Sequence, residues 1–389
     1  MKIANLKINF ETGLTILFLV LFSLGQLQRW QITPRAALYW HDLLIVCFVA
    51  WQLVNSKKII PSKQKLIEFW KKITKAHSLE LIFLGWMMLG MVIGLLSGRL
   101  AMTSLLYLSR LLAYSVFTYS LINNKKINFS PRNGFLIAGL LIALWGLLQY
   151  LFLPDTRFLS LFGWDNHYYR LIGTMFDPAF MGIILTMTWG FWQQHHLKMI
   201  SDKTKNIISF LLLIAIAATF SRATYLAWGA LALLLTINKL ISKKQLLISS
   251  LILITTVLLL PKPGGEGVNL ARHSTAEARY RNAQEGLIKL EGTQWLWGRG
   301  LFNTDSQQEK YATPDHAQLP DSLPVLILNS SGIVGLLLSL LIADKWIKIW
   351  WKKDPLWTSI LLAILLHSFF NNTLLQPFVF LYLWGSRKN

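Results

Sequence analysis

Seven residues in one polar stretch have the types needed for chemistry. The stretch 262–323 lies between two apolar runs and carries Arg272, His273, Arg279, Arg281, Arg299, His316 and Asp321, with a turn at Gly298-Arg-Gly300. A guanidinium is a planar donor fork that suits phosphate or carboxylate. A carboxylate or imidazole within hydrogen-bond reach of a hydroxyl can take its proton. Together these types permit anion binding beside a general base.

Composition defines the elements that must position them. Of 389 residues 54% are hydrophobic and only 14% charged, well below the roughly 25% charged of soluble domains. The apolar residues gather into runs, and about 20 residues cross a bilayer. Twelve runs can be counted, at 12–28, 37–54, 79–97, 100–122, 133–153, 178–194, 206–219, 223–241, 245–260, 323–342, 356–370 and 373–385. The expected fold is therefore all-α, a polytopic integral membrane protein of about twelve transmembrane helices forming one domain over 1–389. The last two runs, separated by Asn371 and Asn372, could instead form one re-entrant hairpin. The first run lacks a small-residue cleavage site after it, so it reads as a membrane helix and not a signal peptide. The single cysteine, Cys47, lies in an apolar run, which excludes a disulfide framework and a cysteine-based metal site.

The formal charge of +20 does not point to nucleic acid, because the lysines sit in short links between apolar runs. That pattern is a membrane-orientation signal. Every lysine-rich link falls on one side, together with both termini, which makes that side the cytoplasm and requires an even number of spans. The cytoplasmic segment 55–78 is amphipathic, with Leu66, Phe69, Trp70 and Ile73 on one face and lysines on the other, as expected of a helix lying on an anionic leaflet. On the opposite side lysine nearly vanishes, but arginine persists at Arg29, Arg35, Arg99, Arg157, Arg170, Arg222, Arg272, Arg279, Arg281 and Arg299. Arginine without lysine suggests an anionic ligand, against the simpler reading of solvated surface charge.

The extracytoplasmic loop 262–322, between spans nine and ten, carries a helix signal. Ser274-Thr-Ala-Glu277 fits a capping box, and a helix from Thr275 to Glu291 would close at Gly292. Arg281 and Glu285 have the spacing of a surface pair. Arg279 shares a face with Ala283, Gly286, Leu287 and Leu290, the side that would pack downward. Arg110 falls mid-run, where an unpaired cation is costly; it is either a substrate contact or the partner of a carboxylate such as Asp42 or Glu80. His167, in Trp164-Asp-Asn-His-Tyr-Tyr169, sits in an aromatic loop that suits sugar stacking or an interfacial belt. His41, Asp42 and His367 are second-line candidates for lining a pathway.

Three stretches then combine. They are Arg170-Leu-Ile-Gly-Thr-Met-Phe-Asp-Pro178 before the sixth span, Phe220-Ser-Arg-Ala-Thr224 between the seventh and eighth, and a long-loop set. That set runs through Arg279, Trp297-Gly-Arg-Gly-Leu-Phe302, Asp321-Ser322 and Gly332-Ile-Val-Gly335. In this order the chain resembles the bacterial O-antigen ligase and O-antigen polymerase superfamily, from about Leu81 onward and most strongly from Arg170 to Leu337. The resemblance implies a GT-C-like glycosyltransferase bundle in the bacterial inner membrane. It implies metal-independent transfer, with no cofactor, of a glycan from undecaprenyl diphosphate to a sugar hydroxyl outside the cytoplasmic membrane. The acceptor would be lipid A core for a ligase or another repeat unit for a polymerase, and a chain-length regulator is a further partner it allows. Carried across by motif, Arg170, Arg222 and Arg279 would bind diphosphate, with Arg110, Arg299 and His167 as secondary contacts.

The base departs from the family pattern. The ligase motif places a histidine eleven residues before the Gly-Ile-x-Gly pair, and here that position is Asp321; His316 lies five residues upstream as the alternative base. The departure favours a polymerase over a lipid A ligase. The competing class is a transporter of a small anion such as bicarbonate. Against it, the sequence shows no inverted repeat and no matched pair of Gly/Pro-broken spans.

Overall fold

The computed structural model describes residues 9–33, 36–56, 77–96, 102–194, 201–300 and 320–388. It is 76% helical with almost no strands. Among the described residues the order is α1 (Phe10–Ser23), β1 (Arg29–Thr33), β2 (Ala36–Tyr39), α2 (Trp40–Ser56), α3 (Ser78–Leu96), α4 (Met102–Asn123), α5 (Pro131–Phe152), α6 (Pro178–Gln193), α7 (Asp202–Ala218) and α8 (Arg222–Ile237). Then come α9 (Lys243–Leu259), α10 (Ser274–Ile288), α11 (Gln294–Trp297), α12 (Leu323–Lys353), α13 (Pro355–His367) and α14 (Pro377–Gly385).

Each of the twelve apolar runs holds a helix. Four of these, α3, α4, α5 and α12, are long and apolar enough to cross a membrane. The all-α expectation needs one amendment, because β1 and β2 pair antiparallel in the link between the first two runs. The amphipathic segment 55–78 falls mostly on residues 57–76, outside the described residues.

Helix α6 is the centre of the bundle. It is apolar all round and almost wholly buried, from Pro178 to Trp192, as a helix enclosed by others must be. Small residues let its neighbours approach. A Cβ on Gly182 would sit 2.2 Å from Thr224 Oγ1, and one on Gly139 would sit 2.2 Å from Thr188 Oγ1. In an apolar solvent such close backbone packing, and not burial from water, holds helices together. The Gly182–Thr224 approach has a local consequence: it sets the N-terminus of α8 beside that of α6. Asp177 caps α6 by accepting from the amides of Ala179 and Phe180, both at 2.7 Å, and Ser221 caps α8 through Thr224.

Helix α12 differs from its sequence reading in two ways. It runs on to Lys353, past the expected end at 342, and it is broken at Gly332, where φ is 66°. No such break was expected of this run. The Gly298-Arg-Gly300 turn docks into it: the amides of Arg299 and Gly300 donate to the carbonyls of Asn329 (2.8 Å) and Ser330 (3.1 Å), and the Trp86 indole donates to Ser331 (2.8 Å). Carbonyls freed by a broken helix need such donors. A Cβ at Gly332 would lie 2.1 Å from the Leu296 carbonyl, and one at Gly298 would lie 2.3 Å from the Ser331 amide. The two glycine motifs are thus the two halves of one contact.

Candidate functional site

The first two motif stretches meet at the N-termini of α6 and α8, and Arg279 of the third lies within their field. The Leu171 amide donates to the Ala218 carbonyl at 2.9 Å, which fastens the 153–177 link to the end of α7. Arg170, buried there, donates through Nε to the Thr219 carbonyl (3.0 Å) and through Nη2 to the Phe220 carbonyl (3.4 Å). The same Phe220 oxygen accepts from Arg272 Nη2 at 3.3 Å, so one carbonyl holds two guanidiniums. Arg272 also reaches the carbonyls of Gly267 (2.8 Å) and Asn269 (2.9 Å). Arg222 Nη1 donates to the carbonyls of Leu270 (3.3 Å) and of Arg272 itself (2.9 Å). Arg279, on α10, donates to Asn371 Oδ1 at 3.0 Å.

Electrostatics join these cations into one group. Burial, then the charge of Arg272, lowers the pKa of Arg170 to about 10, and Asp177 partly opposes the shift. Burial also lowers Arg279; Asp321 and Asp177 oppose this, and Arg222 adds to it. The Asp177 carboxyl is raised by burial, with its helix-amide bonds and Arg170 pulling the other way. Arg170, Arg222, Arg272 and Arg279 therefore share one field with the carboxylates of Asp165, Asp177 and Asp321. Among the described residues Arg170, Arg222 and Arg279 form no close ion pair with a carboxylate. Arg222 is also the first residue of α8. A helix N-terminus repels a cation and attracts an anion, so the dipole and the guanidinium pull on the same ligand.

The backbone around this cluster is held in the left-handed region. Among the described residues four non-glycine residues have positive φ, and three stand here: Tyr169 (52°) before Arg170, Phe176 (57°) before Asp177, and Phe220 (47°) before Ser221. Each such residue costs on the order of 1–3 kcal/mol, and they cluster at functional sites.

The expected residues divide accordingly. Arg170, Arg222 and Arg279 come together. Asp321 is half-buried at the start of α12, its amide donating to Asn282 Oδ1 (2.7 Å), within the field of Arg279. His316 lies outside the described residues. Arg299 is tied by its main chain to α12 at Asn329, and its part is in the glycine contact. Arg110 pairs with Asp42 (2.9 Å), which realises the carboxylate-partner alternative. Glu80 pairs with Lys345 instead (2.8 Å).

Several expectations are corrected. The His167 ring is not exposed as its aromatic loop suggested. The isolated bridge Asp155↔Tyr168 folds the link back, and Thr156 binds the His167 carbonyl, so the imidazole is buried with Nε2 unpartnered. Burial, then Arg170 and Arg272, lowers its pKa to about 3, so it is neutral near pH 7. His41 and His367 are fully buried and line no open path. Helix α10 ends at Ile288 and not Glu291, and His273 occupies its N-cap, so the expected capping box is not formed. Arg281 pairs with Glu277, one turn before it, where the expected partner Glu285 lies one turn after it.

Two residues have a larger part in the site than the sequence reading gave them. Arg272 had its place in the polar stretch and among the outer arginines to mark it; it donates to the carbonyls of Gly267, Asn269 and Phe220, main-chain acceptors that leave no trace in spacing. Asp177 was legible as a cap, since Asp-Pro before an apolar run is a helix start, but nothing local placed it near Arg279.

Compared with known proteins, the chain matches no family model and no curated sequence.

Proposed function

We propose that the chain is a lipid-linked oligosaccharide glycosyltransferase of the O-antigen polymerase type. Its substrate would be a glycan on undecaprenyl diphosphate, and the reaction would take place at the extracytoplasmic face of a bacterial inner membrane. Twelve spans, cytoplasmic termini and a GT-C-like bundle belong to the same reading. The observation that carries it is the convergence of Arg170, Arg222, Arg272 and Arg279 beside two helix N-termini. In the proposed step the acceptor hydroxyl oxygen bonds to the anomeric carbon of the donor glycan. The bond from that carbon to the diphosphate oxygen breaks, and the electron pair leaves with the lipid diphosphate. The arginines stabilise that growing negative charge, since donors already in place need no reorganisation. The hydroxyl proton passes to Asp321, the carboxylate in the field of Arg279.

The test is a deletion strain. Undecaprenyl-linked repeat units should accumulate and the polymer should be lost. Unchanged lipid-linked glycan, with altered uptake of a small anion, would sink the transferase and favour a transporter.

A further inference from the structure

A second group of cations lies at the other end of the same helices. A cavity of about 840 Å³ opens where α5 begins, where α6 and α8 end, and where α13 begins. Its charged walls are Arg132, Arg387, Lys388 and Asp354. Arg132 bonds Asp354 directly, and Asp354 further accepts from the Trp357 amide (3.2 Å) and the Lys388 amide (3.4 Å). That carboxylate is therefore satisfied, and the excess charge belongs to Arg387 and Lys388. The Arg387 guanidinium lies over Trp350 (4.7 Å to the ring centre) and Trp346 (5.8 Å), and its Nε is buried with no hydrogen-bond partner. Burial lowers its pKa, so the cation stands where a counter-charge would relieve it. The N-terminus of α5 borders the cavity at Ser130, which supplies no side-chain cap; Pro131 has no N–H and the Asn133 amide donates to the Ser130 carbonyl (3.0 Å), which leaves the Arg132 amide facing a ligand.

The rest of the wall decides what kind of anion fits. Asn124, Asn133 and Gln194 offer polar contacts, while Phe129, Leu136 and Phe191 make much of the lining apolar. A free inorganic ion gains nothing from an apolar wall, whereas an amphiphile does. The tryptophans beside Arg387 are of the kind that mark headgroup depth, and basic pockets between membrane helices take anionic headgroups. We infer that this cavity is a binding site for the phosphate-bearing headgroup of an anionic phospholipid, held by Arg387 and Lys388. The site is separate from the arginine cluster and does not depend on the transferase reading.

The experiment is native mass spectrometry of the full chain, delipidated in detergent and titrated with phosphatidylglycerol or phosphatidylcholine. Each cation near a headgroup contributes about a fivefold gain, so phosphatidylglycerol should bind about thirtyfold tighter. Lys388→Gln, whose exposed side chain has no packing role, should lose about fivefold, and Arg387→Gln at least as much. Lys352→Gln, an exposed lysine outside the cavity at the same end of the bundle, should change nothing. Equal binding of the two lipids overturns the assignment, as does unchanged affinity in Lys388→Gln and Arg387→Gln, or equal loss in Lys352→Gln. Displacement of phosphatidylglycerol by inorganic phosphate that itself stays bound would make this a free-anion site and overturn the lipid occupant.

Discussion

Arg110 and the arginines of the α6–α8 cluster are all cations embedded in an apolar bundle, yet they are held in opposite ways. Arg110 donates to Asp42 (2.9 Å) and to the Ala37 carbonyl (2.6 Å). Asp42 in turn takes the Tyr39 amide (3.0 Å) and the Tyr114 hydroxyl, and Tyr114 meets His41 Nε2 at 3.0 Å. The charge there is cancelled inside the fold, and the network pins the β1–β2 hairpin to α2 and α4. In the cluster Arg170 and Arg222 donate to main-chain carbonyls and Arg279 to the Asn371 side-chain amide oxygen, neutral acceptors that orient a guanidinium without neutralising it. A neutralised arginine is committed to structure; one held by carbonyls keeps its charge for a ligand. Arg170 shows the second case most clearly, donating to the carbonyls of Thr219 and Phe220.

Four measurements can break or sharpen that contrast. The largest effect is expected at the neutralised pair. Asp42→Ala leaves the half-buried Arg110 uncompensated, so stability should fall by about 2–3 kcal/mol, short of the full cost of a buried charge, in a detergent thermal-shift assay. A loss below about 1 kcal/mol would mean that the network is not structural. Next, Arg222→Ala and Arg279→Ala should lower glycan transfer by about a hundredfold or more while membrane insertion is unchanged; normal polymer from either mutant removes that arginine from the site. Third comes acid sensitivity. His167 has its pKa lowered from 6.5 to about 3. Below 6.5 the unfolded chain binds a proton that the folded chain refuses, so stability falls as pH drops from 6.5 towards 3. His167→Gln should flatten the melting curve over that window, and superimposable curves would show that the imidazole is not the refusing group. The smallest effect belongs to the exposed Arg281–Glu277 pair, where Glu277→Ala should cost no more than about 0.5 kcal/mol.

The sequence carried the parts of this arrangement but not its joints. Apolar period and length located the helices, and motif order brought out Arg170, Arg222 and Arg279. Pro178 and Ser221 marked where α6 and α8 begin, because caps are local. What stayed hidden was non-local. The break at Gly332 exists because the Gly298 turn inserts there, and nothing in residues 323–353 alone requires it. His167 looked like a surface ring because its neighbours are aromatic; only the fold-back onto Asp155 buries it. Arg110 could be assigned a carboxylate partner but not which one, since choosing Asp42 over Glu80 needs the packing of α2 on α4.

The carbonyl of Phe220 has a consequence for genetics. Its oxygen is main chain, and so are the acceptors at Thr219, Gly267, Asn269 and Leu270. An alanine scan cannot delete any of them. Such a scan would report the arginines and pass over the frame that aims them, and at position 220 it would report only the loss of the buried phenyl ring. The informative substitution is Phe220→Pro, whose ring fixes φ near −65° and forbids the turn. It would disorder two guanidiniums without touching either one.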